Sequence, residues 1–141
     1  CLVPSHGGNF SPLADMLDAL RDAVDPGCNV DAYTDLVGFV ECWKNAVMAE
    51  APELAARVGG HADIAESSEM LCIRPDLVRK DLAEQGCLAD FDDALSDRIF
   101  RDGFRSVTPN GILGDAHGMS REIGERCIAY AADGIVVALG T

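Results

Sequence analysis

The chain has 141 residues, and 48 % of them are hydrophobic, which is enough for one domain with a buried core and argues against disorder. Its formal net charge of −13 argues against a nucleic-acid partner, because phosphate binding requires clustered lysine and arginine. No apolar run reaches the roughly 18 residues of a membrane-spanning helix. We therefore expect a single domain over residues 1–141 that binds neither nucleic acid nor a membrane.

The beginning of the sequence predicts a strand, a helix and a second strand. A short apolar run at residues 1–3 leads into His6 and two glycines, which permit the sharp turn found at the rim of a parallel sheet. Asn9 is a good helix cap, and Pro12 suits the first turn of the helix that follows. Residues 28–33 predict the second strand. This order implies a right-handed parallel crossover.

The remaining segments alternate helical patterns with turns. Residues 36–51 and 64–72 predict two helices, separated by a Gly-Gly turn at 59–60. Residues 74–76 predict a turn before a short amphipathic helix at 77–85. Residues 86–105 show no clear pattern, and their apolar side chains suit either a cover over a site or an ordinary packed excursion. Ser120 predicts the cap of a last helix.

Two histidines and one carboxylate are the candidate site residues. His6 follows the first strand, His61 follows the Gly-Gly turn, and Glu66 lies in the first turn of the next helix. Neutral imidazole and carboxylate are suitable ligands for zinc, manganese or iron. A histidine also suits proton transfer near neutral pH. Taken singly, each residue also has a structural interpretation, as a turn residue or a helix-start carboxylate.

The six cysteines are widely spaced and include no Cys-x-x-Cys pair, so we expect free thiols in a reducing cytoplasm. Cys42, Cys72 and Cys127 lie in apolar patterns, where a free cysteine behaves as a small hydrophobe. Cys1 stands first in the sequence, and a free α-amino group could activate it as a nucleophile after a chain cleavage. The alternative is that Cys1 is an ordinary strand residue.

Four blocks of the sequence are spread over nearly the whole chain. They are His-Gly-Gly-Asn at 6–9, Gly-His-Ala at 60–62 with Glu-Ser-Ser at 66–68, Arg-Pro-Asp-Leu-Val-Arg at 74–79, and Gly-Ile-Leu-Gly-Asp at 111–115 with Ser120, Glu122 and Gly124. Together these blocks resemble the creatininase family of metal-dependent amidohydrolases. The resemblance implies an α/β fold with three layers, α/β/α, around a mostly parallel sheet. It also implies that His6 and Glu66 bind a divalent metal ion and that His61 moves a proton to the leaving nitrogen.

The sequence also departs from the family's pattern. A motif of the form Glu-x-His-Gly-x-His-Leu-Pro, which carries the family's remaining metal ligands, does not occur here. Asp63 stands where many members have glycine, and Ala116 replaces the usual proline after Gly-Asp. The resemblance therefore suggests the carboxyl-terminal portion of a family domain. We expect an upstream segment or a companion chain to supply further ligands.

The sequence thus predicts hydrolysis of a non-peptide or cyclic C–N amide bond by metal-activated water. The expected partners are a small-molecule amide substrate and the companion segment, within a homo- or hetero-oligomer. Two alternatives stay open. One is a catalytically silent subunit or binding module of the same fold, and the other is a processed chain that uses Cys1 as its nucleophile.

Overall fold

The computed structural model describes residues 1–140, so Thr141, the last residue of the predicted domain, lies outside the described residues. Within residues 1–140 the chain forms five α-helices, several single 3₁₀ turns and a two-stranded sheet. The helices are α1 (Phe10–Asp22), α2 (Leu36–Glu50), α3 (Ile64–Ile73), α4 (Asp93–Asp102) and α5 (Arg121–Leu139). The strands are β1 (Val58–His61) and β2 (Leu113–Gly114).

The core lies where α2 and α3 pack against the long helix α5. Ile123, Cys127 and Ala131 recur every four residues on α5 and are buried, as one face of a helix must be when it covers a core. Gly124 lets α5 approach α3 closely, because a Cβ atom there would lie only 2.1 Å from the carbonyl oxygen of Ser68. This three-helix contact fixes the position of α3, which carries Glu66.

The two strands hold the turn before α3 against the loop before α5. β1 pairs with β2 in antiparallel orientation, with Val58 opposite Gly114 and His61 opposite Leu113, and an irregularity lies between these two pairs. Glycine is required at Gly59, because a Cβ atom there would lie 2.4 Å from the backbone nitrogen of Gly114. The pairing places His61 at the end of β1.

The mostly parallel, three-layer α/β/α sheet expected from the resemblance is not confirmed. The two predicted strands meet only in one parallel bridge, Leu2 with Ala32, in which Leu2 N donates to Asp31 O at 2.8 Å and Tyr33 N donates to Leu2 O at 3.0 Å. A parallel sheet requires cover on both faces. Here Leu2 and Val3 remain 40 % and 48 % exposed, so no such layer closes over them within residues 1–140.

The helices agree with the sequence better than the strands do. α2, α3 and α5 lie where the apolar spacing predicts them, and Ser120 caps α5 by accepting a hydrogen bond from Ile123 N at 3.2 Å. Two details were wrong. The Asn9 side chain makes no capping hydrogen bond, and residues 77–85 form no α-helix but contain the end of one 3₁₀ turn and a second at Lys80–Leu82.

Helix α4 lies in the segment that had no clear pattern. Asp92 caps it by accepting a hydrogen bond from Leu95 N at 2.8 Å, and Gly103 ends it with a φ of 81°. Among residues 1–140, no helix combines the length and the apolar character needed to cross a membrane.

Candidate functional site

A cavity of about 100 Å³ brings together residues from distant parts of the sequence. One wall is the loop that carries His6, a second is α2, and the floor contains His61 and Glu66. The segment around α4 closes the remaining side with Phe91, Phe104 and neighbouring apolar residues. Of the two interpretations left open for this segment, the structure favours the cover.

His61 and Glu66 form the polar floor of this cavity. His61 Nδ1 lies 3.6 Å from Glu66 Oε2, which is electrostatic contact at slightly more than hydrogen-bond length. The same carboxylate oxygen accepts a hydrogen bond from Ala62 N at 2.5 Å, so Glu66 is fixed by the turn that also carries His61. The ring of Phe104 meets the His61 ring edge-on, with 5.0 Å between the centroids.

The turn between His61 and α3 is built around Asp63. Asp63 is fully buried, and its carboxylate accepts hydrogen bonds from the backbone N–H groups of Gly59, Gly60, Ala65 and Glu66. Burial raises the pKa of this carboxyl, and the N–H donors oppose that rise. The sequence analysis treated Asp63 only as a departure from the family's glycine. An aspartate directly before a helical pattern is nevertheless a capping signal.

Ala62 adds strain to the same turn. Its φ of 54° makes it the one non-glycine residue with positive φ within residues 1–140. A non-glycine residue in this region costs about 1–2 kcal/mol, and such residues concentrate at functional sites where the surroundings hold them. The hydrogen bond from Ala62 N to Glu66 and the Asp63 network hold the turn in this conformation.

His6 reaches the cavity from the opposite side. It precedes the 3₁₀ turn Gly7–Asn9 and is exposed, yet it lines the same cavity as His61 and Glu66. Gly8 has no side chain, which leaves room for the imidazole ring of His6. A Cβ atom at position 8 would lie only 3.3 Å from His6 Nε2. The structure therefore brings all three predicted site residues to one cavity.

The cavity contains side chains of the types that bind a divalent metal ion, but too few of them are placed to hold one. Imidazole and carboxylate suit zinc, manganese or iron, and a catalytic zinc site has three protein ligands. Within residues 1–140, no group of three or more His, Cys, Asp or Glu side chains is placed to hold a metal ion. The described residues alone therefore do not make a complete metal site.

Behind the cavity wall, a second carboxylate supports Trp43. The Trp43 indole lines the cavity, and its Nε1 donates a hydrogen bond to Glu69 Oε1 at 2.7 Å. Burial raises the pKa of Glu69 to about 7, with added repulsion from Glu66 and Asp63. Trp43 is buried, and nothing in the sequence pattern indicates that Glu69 is its hydrogen-bond partner.

His117 lies outside the cavity, on the surface of the protein. Its Nδ1 lies 2.7 Å from Asp115 Oδ1, and Arg57 lies 3.5 Å from the other carboxylate oxygen. Burial acts to raise the pKa of Asp115, but the hydrogen bonds from His117 and the charge of Arg57 outweigh it and lower the pKa. This cluster joins the loop before α5 to Arg57, the residue that directly precedes β1.

The cysteines do not contribute to the cavity. All six are free thiols in the structure, and Cys127 is buried, which raises the pKa of its thiol to about 12. Cys1 is exposed and is not among the residues that line the cavity. A Cys1 nucleophile activated by its own α-amino group would therefore act outside this cavity.

Comparison with known proteins gives one match. A family model described as "Creatininase: Creatinine amidohydrolase" matches residues 1–139 of this chain. No curated protein matches, and no solved structure matches.

Proposed function

The chain belongs to the creatininase family, and from that membership we propose that it hydrolyses a non-peptide or cyclic C–N amide bond, with His6 and Glu66 as metal ligands and His61 as the proton shuttle. The family implies an α/β fold class and suggests a metal-dependent amidohydrolase. The finer assignments rest on the cavity.

One observation carries the proposal. His6, His61 and Glu66 come from segments up to 60 residues apart and line a single cavity. Three ionisable side chains that converge in a mostly apolar cavity are the expected form of an active site.

We propose that a companion chain, or a segment beyond the described residues, completes the metal site. His6 and Glu66 supply two ligands of suitable type, and further carboxylate and imidazole ligands are needed for tight binding. A bound divalent metal ion supplies a water molecule of lowered pKa and polarises a carbonyl group. Assembly as a homo- or hetero-oligomer would bring the additional ligands to the cavity mouth beside the exposed His6.

The role of His61 follows from its surroundings. Breaking an amide requires a proton on the leaving nitrogen, and a histidine near neutral pH can deliver it. Glu66 Oε2 lies 3.6 Å from His61 Nδ1, so the carboxylate faces this ring nitrogen. Phe104, packed against the ring, restricts its orientation and reduces its contact with water.

A second candidate function is a binding module of the same fold that lacks catalysis. The observation that favours it is the incomplete ligand set within residues 1–140. The two candidates differ in one respect that can be measured, namely whether the native material contains stoichiometric metal together with a source of additional ligands.

The test is intact-mass analysis of natively purified protein, with metal content and amide hydrolysis measured on the same sample. We expect a transition metal together with either a second polypeptide or a longer form of the chain that carries acidic and histidine ligands. A lone, monodisperse and metal-free chain without activity on amides would overturn the enzyme proposal and leave the binding module.

A further inference from the structure

One buried carboxylate connects the end of β1 to the beginning of α3. Asp63 is fully buried, and its two carboxylate oxygens have different partners. Oδ2 accepts hydrogen bonds from Gly59 N at 2.7 Å and Gly60 N at 2.9 Å, in the strand. Oδ1 accepts hydrogen bonds from Ala65 N at 2.9 Å and Glu66 N at 3.0 Å, in the first turn of the helix. The side chain therefore holds a strand and a helix together.

Capping of α3 requires only one of these two oxygens. At the beginning of α2, Asp35 caps the helix with a single oxygen, which accepts a hydrogen bond from Gly38 N at 2.8 Å. Ser120 caps α5 with its one hydroxyl group. The contacts of Asp63 Oδ2 therefore need another explanation. Glycine, which many members of the family have at position 63, provides no carboxylate, so these contacts are a feature of this chain.

The two segments that Asp63 connects are those that carry the candidate catalytic pair. His61 is the last residue of β1, and Glu66 lies in the first turn of α3. Between them, Ala62 has a φ of 54°, and its N–H donates a hydrogen bond to Glu66 Oε2 at 2.5 Å. A strained residue keeps such a conformation only when its surroundings hold it. The hydrogen bonds of Asp63 hold the chain on both sides of Ala62.

The position of the Asp63 side chain is itself fixed by packing. A Cβ atom at Gly114 would lie 2.9 Å from Asp63 Cβ, so β2 lies directly against this side chain. Gly59 is buried, and a buried N–H group without an acceptor is costly. The strand therefore cannot move away from Asp63 Oδ2 without a penalty in free energy.

Resting on the proposed function, in which His61 and Glu66 act at one site, we propose that Asp63 is a positioning residue whose second carboxylate oxygen sets the distance between them. That distance is 3.6 Å between His61 Nδ1 and Glu66 Oε2. Without the second oxygen, α3 keeps its cap, but Ala62 relaxes and its N–H moves away from Glu66. Asp63 acts through these residues alone, because it is fully buried and does not line the cavity.

Hydrogen exchange at the Ala62 amide, measured by NMR on the full chain, tests this geometry. Asp63→Asn keeps the shape of the side chain and one oxygen for the cap of α3, but it turns N–H donors toward Gly59 and Gly60. We expect the Ala62 amide to exchange about 10-fold faster in this variant, because the hydrogen bond to a charged acceptor is lost. The amides within α3 should keep their exchange rates.

Two reference variants complete the comparison. Glu66→Ala removes the acceptor of the Ala62 N–H and gives the exchange rate of that amide without its hydrogen bond. Asp35→Asn is the matched control, since it removes the same charge from a cap whose carboxylate accepts only from Gly38 N within residues 1–140. It should leave exchange at Ala62 unchanged. If Asp63→Asn does not fold, Asp63→Ser replaces it, because a hydroxyl group caps a helix but does not also reach two N–H groups in the strand.

Steady-state kinetics give a second readout, on whichever amide the native assembly hydrolyses. Asp63→Asn should lower kcat, expressed per folded molecule, by about 10- to 100-fold, because displacing a catalytic group by about 1 Å has an effect of this size. KM should not change, since Asp63 makes no contact with substrate. A raised KM with unchanged kcat would mean that Asp63 affects binding rather than the positions of His61 and Glu66, and would overturn the inference.

The outcomes separate this inference from the proposed function. An Ala62 amide that exchanges at the parent rate in Asp63→Asn would show that Asp63 only caps α3, and would overturn the inference even if the protein hydrolyses amides. Equal acceleration throughout α3, or the same acceleration in Asp35→Asn, would also overturn it, because the cause would be general destabilisation or lost charge. Acceleration confined to Ala62, in an assembly that hydrolyses no amide, would support the positioning role and overturn the proposed activity.

Discussion

The indole of Trp43 donates a hydrogen bond to the carboxyl group of Glu69, with 2.7 Å between Nε1 and Oε1. This contact joins α2 to α3 directly behind the cavity wall. The Trp43 side chain is buried, and burial raises the pKa of Glu69 to about 7. A partly protonated carboxyl group therefore supports the wall at neutral pH, and the protein's stability should depend on that proton.

We first predict that Glu69→Gln flattens the pH dependence of stability between about pH 4.5 and 7. A carboxyl whose pKa rises from 4.5 to about 7 on folding binds its proton more tightly in the folded state. Its contribution is fully present below pH 4.5 and is lost as the pH rises through 7. The loss is at most about 3.5 kcal/mol, at about 1.4 kcal/mol per pKa unit. Urea unfolding across this pH range measures it.

The comparison uses the difference between variant and parent, because the other carboxyl groups contribute equally to both. Glutamine keeps an oxygen that can accept the Trp43 hydrogen bond. A difference in unfolding free energy that is the same at every pH therefore reflects packing, and a difference that changes with pH reflects proton binding by Glu69. Parallel stability curves for the two proteins from pH 5 to 8 would show that Glu69 titrates alike in the folded and unfolded states.

We next predict that His61→Asn lowers turnover and leaves the metal in place. A general acid or base contributes about 10²- to 10⁴-fold to rate, and asparagine cannot carry the proton. Metal content should not change, because in the proposed site His61 moves a proton and binds no metal. Steady-state kinetics and elemental analysis of the native assembly measure both effects. Unchanged turnover would show that His61 has only a structural role in the turn. Loss of metal together with turnover would show that His61 is a metal ligand.

A third prediction is that His6→Ala removes metal and activity together. His6 is exposed, so its loss should barely affect folding, and thermal unfolding should shift little. The matched control is His117→Ala, which removes the chain's remaining histidine from the surface cluster outside the cavity. It should retain both metal and activity. Full metal occupancy in His6→Ala would exclude His6 from the site.

Apart from α4, the helices of this chain could be predicted from local pattern, whereas the sheet could not. Apolar spacing is enough to specify α2 and α5, because each buries one face against the same core. The short apolar runs at residues 1–3 and 28–33 give no information about which segments will cover them. In the structure they form one parallel bridge and stay partly exposed.

The candidate site, too, could be predicted only in part from the sequence. His6, His61 and Glu66 could be proposed from the sequence because their blocks resemble those of a family, and the structure places all three at one cavity. The cover over the cavity stayed only one of two interpretations, because Phe91 and Phe104 lie in a segment whose apolar residues have no regular period. Only the tertiary structure shows that they face one cavity. The role of Asp63 in holding the turn could not be predicted, because it depends on hydrogen bonds from four backbone N–H groups. Two of these groups belong to residues of the preceding strand.

The last prediction concerns the packing that holds α3, and with it Glu66, in position. Gly124→Ala should destabilise the protein by about 1–3 kcal/mol, because overpacking a tight contact forces the backbone apart. The added methyl group would lie 2.1 Å from Ser68 O, and backbone atoms cannot move aside as a flexible side chain can.

Without that clash, the same substitution should stabilise the chain, because alanine favours helix over glycine by about 1 kcal/mol. Whether Gly124→Ala lowers or raises the free energy of unfolding therefore shows whether α3 and α5 pack this closely. Gly27→Ala is the matched control, since nothing lies within 4 Å of a Cβ atom there, and reduced freedom of the unfolded chain should stabilise it by up to about 1 kcal/mol. Urea unfolding compares the two variants with the parent. A Gly124→Ala protein as stable as Gly27→Ala would mean that α3 and α5 do not pack this closely.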